Sequence, residues 1–210
     1  VTQIFEDVKA TLPLPTRVLI FVSDGVAHYW YILLLLAVLL IYGLRRYVKT
    51  EKGREFSDRY ALKAPLFGNL IRMIAISRFS RTLSTLLSSG VPLLTALDIV
   101  RNIISNTQIR KAIEETRTNV QEGASVADPL KRSGQFPPIV THMIAIGEKT
   151  GELEKMLERV ADSYDMQVST TVSTLTTILE PIMILVMAGV VSFVVMSILL
   201  PILQLNQLAV

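Results

Sequence analysis

The chain has 210 residues, no cysteine, 50% hydrophobic and only 19% charged residues, and a mean hydropathy of +0.47. Such a composition is too apolar for an ordinary soluble domain, so the first features to look for are membrane-spanning segments. The absence of cysteine excludes disulfides, thiolate nucleophiles and cysteine-ligated metal sites. Two histidines, His28 and His142, are too few for a cluster of transition-metal ligands. The composition therefore favours a membrane protein that uses neither thiol nor transition-metal chemistry.

Two uncharged apolar stretches are predicted to be transmembrane helices. Residues 26–44 contain eleven Leu, Ile and Val residues, and residues 181–203 contain fourteen Leu, Ile, Val and Phe residues. As helices they would be roughly 28 and 34 Å long, close to the thickness of the hydrocarbon layer. The alternative is a pair of buried core helices, but a domain this small rarely surrounds a helix on every side.

The distribution of basic residues predicts the orientation in the membrane. Nineteen of the 21 Lys and Arg residues lie between positions 45 and 165, and Arg45 and Arg46 directly follow the first span. Basic loops favour the cytoplasmic side. We therefore expect residues 45–170 in the cytoplasm of a multi-pass membrane protein, with both chain ends on the opposite side of the membrane.

The segments flanking the spans are predicted from their prolines and polar residues. Residues 1–25 are expected on the side opposite the cytoplasm. They end in a short interfacial helix, which is too interrupted to cross a bilayer. Residues 169–180 are expected to form a juxtamembrane helix. Their Ser and Thr hydroxyls bond back to the helix, face a partner helix, or belong to a solvated juxtamembrane turn. Pro181 should then kink this helix or start a new one. Residues 204–210 are expected to form a tail on the same side as residues 1–25.

Between the spans the apolar residues recur at helical spacing, without strand alternation. This pattern predicts an all-α membrane protein, in which a cytoplasmic bundle of about six helices lies between two transmembrane helices. A connector over residues 45–75 extends the first span, and the bundle itself covers residues 76–168. The residues predicted to face inward are Ile76, Phe79, Leu83, Leu86, Leu87, Leu93, Leu97, Val100, Ile104, Ile109, Ile113, Val120, Ile139, Met143, Ile146, Leu153, Leu157, Val160, Tyr164 and Val168.

Glycine, proline and small polar residues predict where the bundle helices begin and end. Helix breaks are expected at Gly90 with Pro92, at Gly123, and at Gly134 with Pro137 and Pro138. Thr107 is expected to cap one helix, and Ser125 with Asp128 resembles a capping box for another. After Glu152 no glycine or proline occurs until Pro181, so the last bundle helix is predicted to continue into the second span.

The candidate functional residues do not form a set that is typical of an enzyme. No phosphate-binding glycine loop is present, because Gly147 and Gly151 flank a predicted helix–turn–helix connection. The carboxylates of Glu148 and Glu152 could bind a hard cation, but acids at such a turn are more often solvated or satisfy the N-terminus of the following helix. We therefore expect no catalytic residue, cofactor or metal, and we retain Glu148 and Gly151 as candidate partner-contact residues.

Three residues of the membrane region are further candidates for partner contacts. Glu180 lies at the predicted membrane boundary, where a carboxylate can pair with a neighbouring subunit. Ala188 and Ser192 are small residues four positions apart, a spacing that lets two transmembrane helices approach closely. Chance explains this spacing equally well. No basic stripe typical of nucleic-acid binding is present.

Several groups of residues, in their order along the chain, carry a family resemblance. One group is Phe79, Ser80, Arg81, Thr82, Leu83, then Leu86 to Leu94, then Ala96 and Leu97. The other groups are Glu122 to Ser125; Phe136 to Pro138; Met143 and Ile144; Gly147 to Leu153; Met156 and Leu157; Leu179 to Pro181; and Leu200 to Leu203 with Asn206. Together these motifs resemble the type II secretion F family. Asp128 and Pro129 depart from the family pattern, which has an ordinary helix former there, and should weaken the first turn of their helix.

This resemblance implies a non-enzymatic inner-membrane platform of type II secretion or type IV pilus machines. The chain would correspond to the C-terminal half of such a platform, and its C-terminal residues favour the secretion branch. The resemblance implies contacts with the secretion ATPase and its inner-membrane anchor proteins, with pseudopilins, with the lipid bilayer and with further copies of the chain.

Two other classes of protein compete with this interpretation. A transporter or channel subunit would need polar pore-lining residues within the spans, and these are sparse. An intramembrane hydrolase would need a nucleophile with a base or a pair of acids, and the sequence offers neither.

Overall fold

A computed structural model of the chain describes residues 14–64 and 67–208, and this part is all-helical, with no strand. Its eight helices are α1 (Leu14–Lys49), α2 (Glu51–Lys63), α3 (Phe67–Ser88), α4 (Leu93–Ile103), α5 (Thr107–Gln121), α6 (Ala127–Arg132), α7 (Pro138–Thr150) and α8 (Leu153–Leu208). They fall into two compact units. The bundle unit covers Arg46–Thr174, and the other unit contains the remainder of α1 and of α8.

The core of the bundle unit is built from the apolar faces of α3, α4, α5 and α8, as the helical periodicity predicted. Ile76, Phe79 and Leu83 of α3 are fully buried, as is Leu157 of α8. Each such side chain contributes about 1.5–3 kcal/mol when it is removed from water. The Phe79 ring also lies edge-to-face against that of Phe136, with 5.1 Å between the ring centroids.

The predicted inward face of α7 was wrong at two of its three residues, whereas the third, Met143, is partly buried against the core. Ile139 and Ile146 are 60% and 40% exposed, whereas Val140 and Ile144 are fully buried. The two sets are one residue apart, which is a rotation of about 100° around the helix. The buried set continues to Gly147, which the first turn of α8 approaches closely. This close approach fixes the rotation of α7, and the apolar pattern alone could not reveal it.

Two predicted helix boundaries also differ from the structure. Asn106, not Thr107, caps α5, because its side-chain oxygen accepts hydrogen bonds from the backbone N–H groups of Gln108 and Ile109. The helix of the first predicted span does not extend unbroken through the connector, because Thr50 has an extended backbone and caps the new helix α2 by accepting the N–H of Gly53. Both caps supply an oxygen to N–H groups that lack a partner in the first helical turn.

The segment predicted as a connector contributes to the bundle unit. Asp58 of α2 accepts a hydrogen bond from the backbone N–H of Thr107 at 2.8 Å, and Lys111 pairs with Glu55 at 2.6 Å. Gly68 is buried, and a Cβ atom there would clash with the carbonyl oxygen of Leu62. Helix α2 is therefore docked against α3 and α5 by contacts that a period-based analysis does not detect.

The short helix α6 contains the predicted departure from the family pattern. Pro129 is buried in its first turn, where a backbone N–H would have no helical partner in any case. The proline therefore removes no hydrogen bond of the first turn, contrary to the expected weakening. Ser125 accepts a hydrogen bond from the N–H of Asp128 at 3.2 Å, which is half of the predicted capping box.

Helix α1 is continuous from Leu14 to Lys49, so the predicted separate interfacial helix before position 26 does not form. Pro15 lies in the first turn, where proline is tolerated, and no later proline interrupts the helix. Residues 1–13 lie outside the described residues. The apolar stretch of α1, Ala27–Gly43, is shorter than the about 20 residues of a typical bilayer crossing, so the first span stays a prediction.

Helix α8 continues through Pro181 to Leu208, and its stretch Leu153–Leu200 is long and apolar enough to cross a membrane. It is the one such helix in the described part of the chain. Only 6% of its most apolar 18-residue stretch is buried, which argues against a core helix. The hydroxyls of Thr170 and Thr174 donate hydrogen bonds to carbonyls four residues earlier. At these two positions the hydroxyls therefore bond back to the helix, which is one of the predicted alternatives.

Replacing Leu157 by Asp should unfold the bundle unit, because it places an unpaired charge at a fully buried position of α8. We expect the free energy of unfolding to fall by about 3–5 kcal/mol. The measurement is the thermal midpoint of the full chain in detergent, followed by circular dichroism, which should be lower. Met166→Asp is the matched control, because Met166 lies on the same helix and is 72% exposed. Equal midpoints for the two variants would show that this face of α8 is not core.

Candidate functional site

A polar cluster joins α3 to α8 within the bundle unit. The guanidinium of Arg81 lies 2.6 Å from Asp162 and 2.7 Å from Asp165, and the hydroxyl of Ser77 donates a hydrogen bond to the same Asp165 carboxylate. One turn further along α3, Ser84 donates to the carbonyl of Glu154 at 2.9 Å. The sequence analysis missed this cluster. The signal available was the pair of acids three residues apart on the polar face of α8.

The electrostatics of this cluster are those of a partly exposed ion pair. Hydrogen bonds from Arg81 and Ser77 lower the pKa of Asp165, and the two carboxylates raise the pKa of Arg81. The side chains are 42–64% exposed, so solvent screens the attraction and its contribution to stability is small. The arrangement orients α3 against α8 and has no group poised for acid–base chemistry.

The geometry of the turn between α7 and α8 requires glycine at both glycine positions of the Gly147–Leu153 motif. Gly147 is buried, and a Cβ atom there would lie 2.9 Å from the Cα of Leu153 and 3.0 Å from the side chain of Met156. Gly151 ends α7 at a φ of +72°, a left-handed conformation that favours glycine. The N–H groups of Gly151 and Glu152 both donate to the carbonyl of Gly147. These residues form a tight helix connection.

The candidate Glu148 has a structural partner. Its carboxylate oxygens accept the backbone N–H of Val126 at 2.9 and 3.1 Å, which fixes the start of α6 against α7. The sequence analysis expected such a role, although at the following helix rather than at a preceding one. Glu152 pairs with Lys155 at 2.6 Å. No group of three or more His, Asp or Glu side chains in the described residues could hold a metal ion.

The structure does not bring the five candidate contact residues together. Glu148 and Gly151 belong to the bundle unit, at the turn between α7 and α8. Glu180, Ala188 and Ser192 are exposed on the part of α8 that belongs to the other unit. A role in partner contacts stays a prediction for all five.

An apolar groove between α6 and α7 was not predicted. Its volume is about 450 Å³, and its lining includes Ala127, Pro138, Ile139, His142 and Ala145. The groove exists because Ile139 faces outward, whereas the sequence analysis placed it in the core. Contiguous exposed apolar surface of this kind is typical of contact surfaces.

The described residues thus form an all-helical protein in which one helix serves both the bundle and a membrane-length segment. Comparison with known families identifies the protein further. Residues 79–201, more than half of the chain, match the family described as Type II secretion system (T2SS), protein F. The chain belongs to the type II secretion system protein F family.

Individual relatives agree with this assignment. The chain is 41% identical to the type II secretion system protein F of Pseudomonas aeruginosa over 208 residues, which are 99% of this chain and 51% of the relative. It is 41% identical to the protein F of Aeromonas hydrophila over 97% of this chain and 53% of the relative. It is 45% identical to the type IV pilus assembly protein PilC of Thermus thermophilus over 79% of this chain and 41% of the relative. The chain spans about half the length of the curated relatives it matches.

The Arg81–Asp165 interaction predicts an acid-sensitive component of stability. Because the pKa of Asp165 is lowered in the folded state, its contribution is present above its unfolded pKa of about 3.9 and is lost as the pH falls through the folded pKa. We therefore expect Asp165→Asn to lower the thermal midpoint of the full chain at pH 7 and to reduce the loss of stability below about pH 4.

Glu158→Gln is the control for this measurement, because Glu158 is an exposed acid on the same helix outside the Arg81 cluster. It should leave the pH profile of the midpoint unchanged. An Asp165→Asn profile that coincides with the unmodified chain would contradict the assigned interaction.

Proposed function

We propose that the chain is part of a non-enzymatic inner-membrane platform of a type II secretion system, which links the cytoplasmic ATPase and its membrane anchors to pseudopilus assembly. The observation that supports this most directly is the family match over residues 79–201, together with protein F relatives that align with 97–99% of the chain. The turn motif that carries much of the resemblance has hydrogen-bonding and packing roles in the fold. A platform that acts by holding its partners requires a folded bundle of this kind and does not require catalytic residues.

The proposed partners follow from the family. They are the secretion ATPase, its inner-membrane anchor proteins, pseudopilins, the lipid bilayer and further copies of the chain. The small residues Ala188 and Ser192 are exposed on α8 and would suit helix–helix contacts in the membrane. Glu180 and Glu148 are the carboxylates proposed to pair with partner charges, although Glu148 is already engaged by the backbone of Val126.

The proposed topology has two crossings, at residues 26–44 and 181–203. Residues 45–170, which include the connector 45–75 and the bundle 76–168, would lie in the cytoplasm, and residues 169–180 would form the juxtamembrane helix. Residues 1–25 and 204–210 would lie in the periplasm. The basic residues Arg45 and Arg46 next to the first crossing support this orientation. The apolar character of α8 supports the second crossing.

A platform of type IV pilus assembly is the second candidate, and the PilC relative at 45% identity favours it. That alignment covers 79% of the chain, whereas those to the proteins F extend over nearly all of it. We therefore place the secretion function first. A transporter or channel subunit is the candidate from a different class.

Reporter fusions test the topology. Alkaline phosphatase, which is active only in the periplasm, should be active when fused after Val210 and inactive when fused after Gly123. A cytoplasmic reporter such as β-galactosidase should give the reverse pattern and serves as the control. Activity of the phosphatase at Gly123 alone would overturn the orientation.

Co-purification and liposome assays test the platform function. The detergent-solubilised protein should co-purify with a secretion ATPase or its anchor proteins, and it should neither hydrolyse nucleotide nor conduct ions in liposomes. Glu180→Gln and His142→Gln should retain at least partial secretion, because holding partners depends on no single titratable group. Ion conductance that disappears in Glu180→Gln would contradict the platform and favour the transporter.

A further inference from the structure

A polar cleft opens between α2, α3, the first turn of α5 and the loop that precedes α7. Its volume is about 420 Å³, within the range of ligand-binding pockets. The polar residues that line it are Glu55, Arg59, Lys63, Arg72, Gln108 and Gln135. Three of these six carry a positive charge, so the cleft concentrates basic groups from α2 and α3. The cleft lies within the bundle unit and is distinct from the α6–α7 groove.

Arg72 is an exception among the half-buried arginines of the described bundle. Arg81, Arg101 and Arg117 each form an ion pair with a carboxylate, and Arg110 donates to the carbonyl of Ile104 at 2.8 and 3.1 Å. No such partner for Arg72 occurs among the described residues, and its Nε is buried without a hydrogen bond. A buried donor without an acceptor is unfavourable, so an acceptor brought by a ligand would relieve it.

The carboxylates around the cleft offset its positive charge only in part. Glu55 is the acid in the lining; its carboxylate is paired with Lys111 at 2.6 Å and is also attracted to the charge of Arg59. The neighbouring Asp58 accepts the backbone N–H of Thr107 at 2.8 Å. The side chains of Arg59 and Lys63 are exposed and form no ion pair with the described acids. The lining therefore presents a surplus of positive charge and an unsatisfied donor to the same space.

From this cleft we propose a binding site for a phosphate-bearing anion, in which Arg72 donates from the cleft wall and Arg59 and Lys63 neutralise the ligand charge. The N–H donors of a guanidinium group match the arrangement of the phosphate oxygens, so arginine suits a phosphate ligand. Lysine adds a point charge on a flexible side chain. The phosphate can belong to a soluble compound or to an anionic lipid headgroup. This proposal does not rest on the platform function proposed above; it adds a ligand-binding site to the bundle unit.

The test uses the full chain in an uncharged detergent, with sodium pyrophosphate as the soluble probe at constant ionic strength. A second arm uses nanodiscs of phosphatidylcholine with or without phosphatidylglycerol. Binding is measured by calorimetry in the first arm and by the thermal midpoint in both. The variants are Arg72→Gln and Lys63→Gln, and the matched control is Arg78→Gln, an exposed arginine of α3 outside the cleft.

We expect Arg72→Gln and Lys63→Gln to weaken pyrophosphate binding by about tenfold or more, while Arg78→Gln binds as the unmodified chain does. If Arg72→Gln and Lys63→Gln change only the effect of phosphatidylglycerol on the thermal midpoint, the result would also support the site and assign it to a lipid headgroup. If Arg72→Gln impairs folding, Lys63→Gln decides, because Lys63 is exposed. Absence of variant-sensitive binding in both arms would overturn the proposal.

Discussion

The bundle depends on the apolar face of one helix, α8. Leu157, Val160 and Tyr164 lie at alternating three- and four-residue spacing and are buried against the remaining bundle helices. Burial raises the pKa of the Tyr164 hydroxyl, consistent with a phenol enclosed largely by apolar groups. The same helix continues beyond the bundle unit as the membrane-length segment. A single amphipathic pattern thus positions the core, and the exposed apolar continuation of the same helix is long enough to cross a membrane.

Polar contacts around this core decide how the helices are oriented, although each contributes little energy. The Arg81 cluster sets α3 against α8, and Glu148 sets the start of α6 against α7. The Glu148 contact is the stronger of the two in principle, because a half-buried carboxylate accepts a backbone N–H that would otherwise lack a partner. Glu148, which the motif analysis selected as a candidate contact residue, is thus a residue that specifies helix orientation.

Periodicity and helix breakers predicted most of the fold. The inward faces of α3, α4, α5 and α8 and the breaks near Gly90, Gly123, Gly134 and Pro137 agree with the structure, because both depend on local sequence. The errors at Ile139 and Ile146 arose because two neighbouring faces of α7 are apolar and only a tertiary contact at Gly147 selects one of them. The basic cleft around Arg72 was likewise invisible, since its residues come from distant parts of the chain.

The back-bonded hydroxyls of α8 have a consequence for how the chain fits its bilayer. Thr170, Thr174 and Ser197 each donate to a carbonyl four residues earlier, at 2.8–2.9 Å. A hydroxyl satisfied in this way loses little when it moves from the headgroup region into hydrocarbon. Thr170 and Thr174 therefore add no unpaired donor to the surface of α8 where its apolar stretch begins, and Ser197 adds none within that stretch.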